Sequence, residues 1–415
     1  MLDLFPDTAQ TAAGELTLGG IASSALLREH GSPLLVYDEA TLRAQARAYR
    51  AAAPGAFVCY GTKAFPNVSI LRIFAEEGLG ADVSSLGEIR FALEAGIPGG
   101  RLVMHGNNKA DEEIRAAAEA DAIVVLDSLE EIDRARAANV RRSLVRVTPG
   151  IDADTHEKIR TGHHGSKFGL PPDDTIEALL RAPETEGLHV HLGSQLLDAQ
   201  AALSAVGWMA AFAARARDEA GWELRTLDLG GGLGVPTAPG ERHLGVGEFV
   251  RGLLAELEGA LELRGLQAPR VIFEPGRSLV ARAGVTLYTV GSVKRAAGGT
   301  TWVAVDGGIS DNPRPALYGA RYTALLANRP NEPPTGAYSV AGKHCESGDL
   351  LIESVDLPGP RRGDILAVPG TGAYTLAMSS TYNAVPRPAV VLVHAGEARV
   401  IRRRETLDDL LGLER

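Results

Sequence analysis

Few residues in this chain can offer an amine: lysine occurs only as Lys63, Lys109, Lys158, Lys167, Lys294 and Lys343. Lys63, in CYGTKAF, closes a strand-like run, and a lysine confined there would lose solvation and gain nucleophilicity. By itself it reads more simply as a solvated loop lysine. Three further tracts alter that reading. LDLGGGLGV (227–235) sets three glycines after a strand-like run, where bare backbone N–H groups can wrap a phosphate, although a tight turn explains them equally. EPGR (274–277) offers a carboxylate and a guanidinium, which can face a pyridinium nitrogen and an anion, or simply pair at a surface. HLGSQ (191–195) supplies an imidazole able to stack on an aromatic ring and a hydroxyl able to bind phosphate. A lone histidine is more often a core residue.

Together, amine, phosphate loop, carboxylate and stacking imidazole are the parts of a pyridoxal-phosphate site. Elements must bring them to one place. Short apolar runs at 57–63, 80–85, 102–107, 122–127, 144–149, 188–194, 227–232 and 271–276 alternate with amphipathic helical stretches at 86–96, 110–120, 129–138 and 248–265. Eight such units predict a (β/α)8 barrel of TIM type, with an open doubly wound sheet as the rival. Barrel sites lie at the C-terminal strand ends, where Lys63, His105, Asn107, His191, Ser194, Gly230, Gly231, Gly232, Glu274 and Arg277 fall. After about residue 285, shorter runs rich in β-branched residues, such as TTWVAVDGG and AVVLVHAG, predict an antiparallel β domain. The first 35 residues have the same texture. The expected domains are therefore a barrel over 36–285, inserted in a β domain made of 1–35 and 286–415.

Composition agrees with an ordinary globular chain, 45% hydrophobic and 23% charged, and 415 residues favour two domains. A formal net charge of −10 disfavours nucleic acid or an anionic membrane as partner, but not a small charged substrate. No basic region leads into an apolar segment near the N-terminus, and no apolar run is long enough to cross a bilayer, so a cytoplasmic location is expected. Cys59 and Cys345 have neither a disulfide framework nor metal-ligand spacing around them, and no metal is expected.

At the level of whole motifs the chain resembles the fold-type III pyridoxal-phosphate decarboxylases, and within them the diaminopimelate decarboxylase branch. The resemblance runs through CYGTKAF, HGNNK (105–109), RVTPGIDADTHEKIRTGHHGSKFGL (146–170), HLGSQ, LDLGGGLG, EPGR, RPALYGA (314–320), CESGD (345–349) and GAYTLAMSSTYN (372–383). It implies a barrel of alanine-racemase type and removal of CO2 from meso-2,6-diaminopimelate to give L-lysine. It further implies that Lys63 bears the cofactor, His191 stacks on its ring and Glu274 faces its ring nitrogen. Ser194, Gly230, Gly231, Gly232, Gly276, Arg277 and Tyr374 would surround its phosphate. Arg277, Arg314, Tyr318 and Tyr374 would hold the substrate, with Glu346 near its distal amine and Cys345 as acid. Cys345 and Glu346 would come from a second subunit, making a homodimer with shared sites.

Phe65 and Val390 depart from the family pattern, where asparagine and glutamate are common, but neither has an assigned role. Rival readings are a related decarboxylase acting on another basic or carrier-bound amino acid, a racemase, and a non-catalytic cofactor carrier. A racemase typically needs a tyrosine base from the β domain, where this chain has CESGD. A carrier would resemble the barrel alone.

Overall fold

The computed structural model describes residues 2–149, 166–191, 193–242 and 244–414. It divides into two compact units, one of Met1–Ala44, Val235–Glu241 and Leu279–Arg415, the other of Gln45–Gly234 and Arg242–Ser278.

The second unit is a closed barrel of eight parallel strands in chain order. They are Phe57–Gly61, Gly80–Val83, Leu102–Met104, Ile123–Leu126, Arg142–Arg146, Gly187–His189, Thr226–Asp228 and Arg270–Phe273. Each expected run contains one of these strands or overlaps it, and the open sheet is excluded by closure. Polar caps start several of the helices that follow. Asn67 accepts from Ser69 N and Ile70 N ahead of Val68–Glu76, and Ser85 and Ser128 do the same for Leu86–Glu94 and Leu129–Ala137. These side chains satisfy N–H groups that a helix start leaves without partners, so the turn after each strand has a defined exit.

Inside the barrel, Phe57, Cys59, Val103, Ile123, Val125, Leu144 and Ile272 form an apolar cluster, each no more than 4% exposed. Burying one large apolar side chain of this kind contributes about 1.5–3 kcal/mol. Burial also pushes the Cys59 thiol well above its ordinary range, which leaves it an inert packing group. Polar residues begin just beyond this layer, toward the C-terminal strand ends.

HGNNK has a structural function in the same unit. Lys109 is buried, and its Nζ donates to Gly106 O at 2.7 Å and to both carboxylate oxygens of Glu131 at 3.0 and 2.9 Å. Glu131 also accepts from Asp127 N at 2.8 Å. The loop after the third strand is thus fastened to the helix after the fourth.

The first unit holds a mixed sheet ordered Leu350–Leu357, Gly336–Ala341, Thr301–Val305, Gly284–Arg295, Leu34–Asp38, Ala389–His394 and Glu397–Arg402. Most pairings are antiparallel, as expected, while Trp302↔Ser339 and Leu34↔Ala389 belong to parallel pairs. Gly284–Arg295 serves two parts of the sheet. Its first half pairs with Leu34–Asp38 and Ile365–Pro369, its second with Thr301–Val305, and the register shifts between Val290 and Ser292. One core gathers Leu16, Leu18, Leu26 and Val36 around Val285 and Val391, and another gathers Tyr288, Val303, Val340 and Ile352. Leu16 N donates to Ala327 O at 2.7 Å, so the N-terminal strands are fastened to this unit. No described helix is long and apolar enough to cross a membrane.

Candidate active site

The barrel's chemical residues stand at or just past the C-terminal strand ends. Lys63 lies in a short 3-10 turn, Thr62–Ala64, directly after the first strand. Its Nζ donates to Asp82 Oδ2, on the second strand, at 3.0 Å. A partly desolvated amine is expected from sequence; instead the Lys63 side chain is 50% exposed and an ion pair with a buried carboxylate holds its nitrogen. Burial acts to raise the Asp82 pKa, but Lys63 and His105 outweigh it and keep this carboxyl below its usual range.

Around Asp82 the ring continues. His105 follows the third strand, and its Nε2 lies 2.6 Å from Glu274 Oε1 and 3.9 Å from Asp82 Oδ1. His189 ends the sixth strand, with its Nε2 3.5 Å from Glu274 Oε2 and its ring edge-on to His105 at 4.7 Å between centroids. Asp228 ends the seventh strand, and its Oδ1 accepts from Gly230 N at 2.8 Å. Arg146 ends the fifth, stacked at 4.6 Å over Phe168. In sheet register His189 pairs with both Arg146 and Asp228, which sets three polar side chains in one row.

Burial pushes the Glu274 carboxyl up to about 8, and the nearby Asp82 charge adds to the effect. Asp228 is also driven well above its ordinary range, by burial and then by Glu274. His105 moves the other way: burial lowers it to about 4 despite the facing carboxylates. Burial holds His189 and His191 well below their usual range too. The site therefore combines neutral imidazoles, a proton-retaining Glu274 and the charged pair Lys63–Asp82.

The glycine tract has a packing reason of its own. A Cβ at Gly231 would lie 2.4 Å from Glu274 O, and Gly230 has φ +64 with a Cβ position 2.9 Å from Val190 O. Side chains are excluded there by neighbouring strand ends, whatever else binds. Gly276 is buried and Ser194 and His191 are half-buried. Arg277 opens the short helix Arg277–Val280 and is buried.

In the other unit, Arg314 opens the helix Arg314–Tyr318, is buried, and donates from Nη1 to Tyr322 Oη at 2.7 Å. RPALYGA and CESGD meet there: Pro315, Ala316, Gly319 and Ala320 line a groove of about 670 Å³ together with Ser347 and Gly348. Cys345 and Glu346 are exposed, Tyr318 and Tyr374 half-buried, and Tyr374 has φ +59. THEKIRTG, within the motif at 146–170, lies outside the described residues.

The sequence pattern pointed past Asp82, Arg146, His189 and Asp228. A usable signal existed, since each is a polar residue in or at the end of a strand next to apolar neighbours, and charged residues are almost never fully buried unless paired.

Pyridoxal phosphate fits this donor set. Lys63 offers an amine, Glu274 a buried carboxyl and Arg277 a guanidinium, while Asp228 Oδ2 and both His189 ring nitrogens make no hydrogen bond among the described residues. His105, His189, Asp228 and Glu274 each present a donor atom, all within 4.8 Å of one another, close enough for a cation. The His105–Glu274 and Asp228–Gly230 hydrogen bonds occupy part of that set internally.

Comparison with known proteins agrees with this geometry. The family model for the pyridoxal binding domain of pyridoxal-dependent decarboxylases matches residues 39–281. Diaminopimelate decarboxylase of Actinosynnema pretiosum subsp. auranticum is 45% identical, covering 99% of this chain and 95% of that protein. Its counterpart from Bacillus subtilis (strain 168) is 40% identical, with 98% and 96% covered. The crystal structure of diaminopimelate decarboxylase from M. jannaschii in complex with L-lysine superposes with a TM-score of 0.91 at 32% identity, covering 99% of this chain and 98% of that one.

Proposed function

The chain belongs to the pyridoxal-dependent decarboxylases, in the diaminopimelate decarboxylase branch, and from that premise we propose that it converts meso-2,6-diaminopimelate to L-lysine and CO2. One observation carries the reading: at neighbouring barrel strand ends, an amine held by a buried carboxylate stands in the same ring of residues as a buried carboxyl that keeps its proton. A likeness that extends through the mixed-sheet unit, with RPALYGA and CESGD lining one groove, supports an enzyme over a barrel-only carrier.

Pyridoxal phosphate, when bound, supplies an electron sink for the charge left by departing CO2. The protein's residues do the rest. Lys63 would hold the cofactor through its amine, and Asp82, 3.0 Å from that nitrogen, would keep positive charge favoured there. Glu274, which retains a proton at neutral pH, can share it with the ring nitrogen and so favour its charged form. His191 stacks on the ring. Ser194, Gly230, Gly231, Gly232, Gly276, Arg277 and Tyr374 surround the phosphate. Arg277, Arg314, Tyr318 and Tyr374 hold the substrate, and a second carboxylate is what the fork of an arginine selects. Glu346 takes the distal amine, and Cys345 Sγ returns a proton to the carbon that lost CO2. The same reading has the enzyme as a cytoplasmic homodimer, with Cys345 and Glu346 reaching the site of the second copy.

The test is CO2 release with added pyridoxal phosphate across meso-2,6-diaminopimelate, lysine, ornithine and arginine. Release from meso-2,6-diaminopimelate alone, with L-lysine as product, is expected. Faster release from any of the others overturns the substrate assignment.

A further inference from the structure

His105 has no role in the account so far, yet it stands between the two carboxyl groups on which that account depends. Its Nε2 is 2.6 Å from Glu274 Oε1 and 3.9 Å from Asp82 Oδ1, while Asp82 Oδ2 is 3.0 Å from Lys63 Nζ. These contacts make a chain, Lys63, Asp82, His105, Glu274, which is buried from Asp82 onward. Beyond Glu274 it reaches His189 and Asp228. We propose that His105 is a positioning residue that orients Glu274 through its hydrogen bond and, by the closeness of Asp82, couples the Glu274 charge electrostatically to the Asp82–Lys63 pair, so that both ends of the bound cofactor respond to one set of interacting charges. This rests on the assignment of Lys63 and Glu274 to the cofactor made above.

The surroundings decide which states are available. Groups facing His105 come from every strand that contributes to the ring: Asp82, Arg146, His189, Asp228 and Glu274, with Lys63 and His191 just past strand ends. Burial leaves its imidazole neutral against the pull of Asp82 and Asp228, and the Lys63 and Arg146 charges act in the same direction as burial. A neutral imidazole has one donor and one acceptor nitrogen, so Nε2 can donate to a charged Glu274 or accept from a protonated one. Either state of Glu274 is thus satisfied without moving a side chain. A phenylalanine ring would fill similar space and satisfy neither, whereas a glutamine amide can donate or accept but cannot titrate.

Loss of the imidazole acts first on Glu274, its 2.6 Å partner, and only second on Asp82, which Lys63 continues to hold. An unassisted buried Glu274 keeps its own proton more firmly and supports charge on the ring nitrogen less. A ring that withdraws fewer electrons lets the Lys63 nitrogen retain its proton to higher pH.

The experiment uses the full-length protein, with wild type, His105→Phe and His105→Gln compared by visible absorbance titration of the Lys63-bound cofactor and by cofactor dissociation measured on the cofactor-free forms. In His105→Phe the titration midpoint should rise by about one pH unit, and the dissociation constant should increase by about tenfold, as for one lost hydrogen bond to a charged group. kcat should fall by a similar factor with KM little changed, because His105 does not touch substrate. His105→Gln should restore affinity and most of the midpoint. If His105→Phe does not fold, His105→Asn replaces it, its amide being one methylene shorter than that of glutamine; separated midpoints for the two amides support the coupling and coincident wild-type midpoints overturn it. A wild-type midpoint and affinity in His105→Phe overturn it as well. A wild-type protein that takes up no cofactor on Lys63 instead overturns the functional assignment on which the inference rests.

Discussion

The barrel strand ends and the CESGD loop carry the two halves of the proposed chemistry, and they are built in opposite ways. In the barrel, side chains hold one another: Lys63 on Asp82, His105 on Glu274, and Lys109 on Glu131 behind them. In the loop, the backbone is held and the reactive side chains are left at the surface. Asn383 Oδ1 accepts from Cys345 N at 3.1 Å, and the Asp349 carboxylate accepts from Ile309 N at 2.7 Å and His344 N at 2.8 Å. His344 Nε2 adds a 2.8 Å contact to Ser310 Oγ. Cys345 and Glu346 themselves are exposed. One region is organised before any ligand arrives, and the other is a presented surface whose side chains need a facing partner to acquire chemistry.

The strongest challenge to that contrast is to separate the two halves. Lys63→Ala alone and Cys345→Ala alone should each be almost inactive. If Cys345 serves the site of a second copy, mixing the two variants under proven subunit exchange gives about half mixed dimers, each with one intact site, so about a quarter of all sites recover. No recovery would mean that Cys345 acts within its own subunit.

Glu274→Ala removes a carboxyl organised in advance. It should lower kcat on the order of 10²–10³ while weakening cofactor binding much less, since the covalent link at Lys63 persists. Steady-state turnover beside cofactor titration separates the two, and an unchanged kcat removes Glu274 from the chemistry.

Stability should divide along the same line. Lys109→Met leaves the buried Glu131 carboxylate without its cation and should cost about 3–5 kcal/mol in denaturant unfolding. Cys345→Ser, at an exposed side chain, should change stability by no more than about 0.5 kcal/mol. Comparable losses would erase the distinction between the regions.

The pH dependence of the cofactor-free protein extends the same contrast. Burial lowers His105 to about 4 in the folded chain against 6.5 for a free side chain, so the unfolded chain binds the extra proton and stability rises with pH across that window. Glu274 titrates at about 8 against 4.5, so the folded chain binds the extra proton and stability falls as pH rises from about 4.5 to about 8. Thermal melts of His105→Phe should lack part of the acid limb, and those of Glu274→Gln part of the alkaline limb. Unchanged limbs would show that these groups are not buried as described.

Much of this was legible in the sequence because the barrel repeats one pattern. Each short apolar run is followed by a polar residue at the strand end and then by an amphipathic helix, so Lys63, His191 and Glu274 could be placed at one rim by counting. Asp82, His189 and Asp228 could not. Each lies within a run read as apolar, and its partners follow from strand pairing: the second strand beside the third brings Asp82 to His105, while closure between the last strand and the first brings His105 to Glu274 across a long stretch of chain. The motif HGNNK looked like one unit, yet it divides its labour: His105 faces the site, while Lys109 is a buried latch. Segment 235–241 belongs by its contacts with the mixed sheet, where Thr237 Oγ1 donates to Arg321 O at 2.6 Å, and no local pattern announces that pairing.

The central claim is that Lys63, and no other lysine, bears the cofactor. Borohydride reduction of the protein loaded with pyridoxal phosphate, followed by peptide mapping, tests it directly. The phosphopyridoxyl label should lie on the CYGTKAF peptide at Lys63 and be lost in Lys63→Ala. A label on Lys109, which is buried against Glu131, or on the exposed Lys167 would contradict the account.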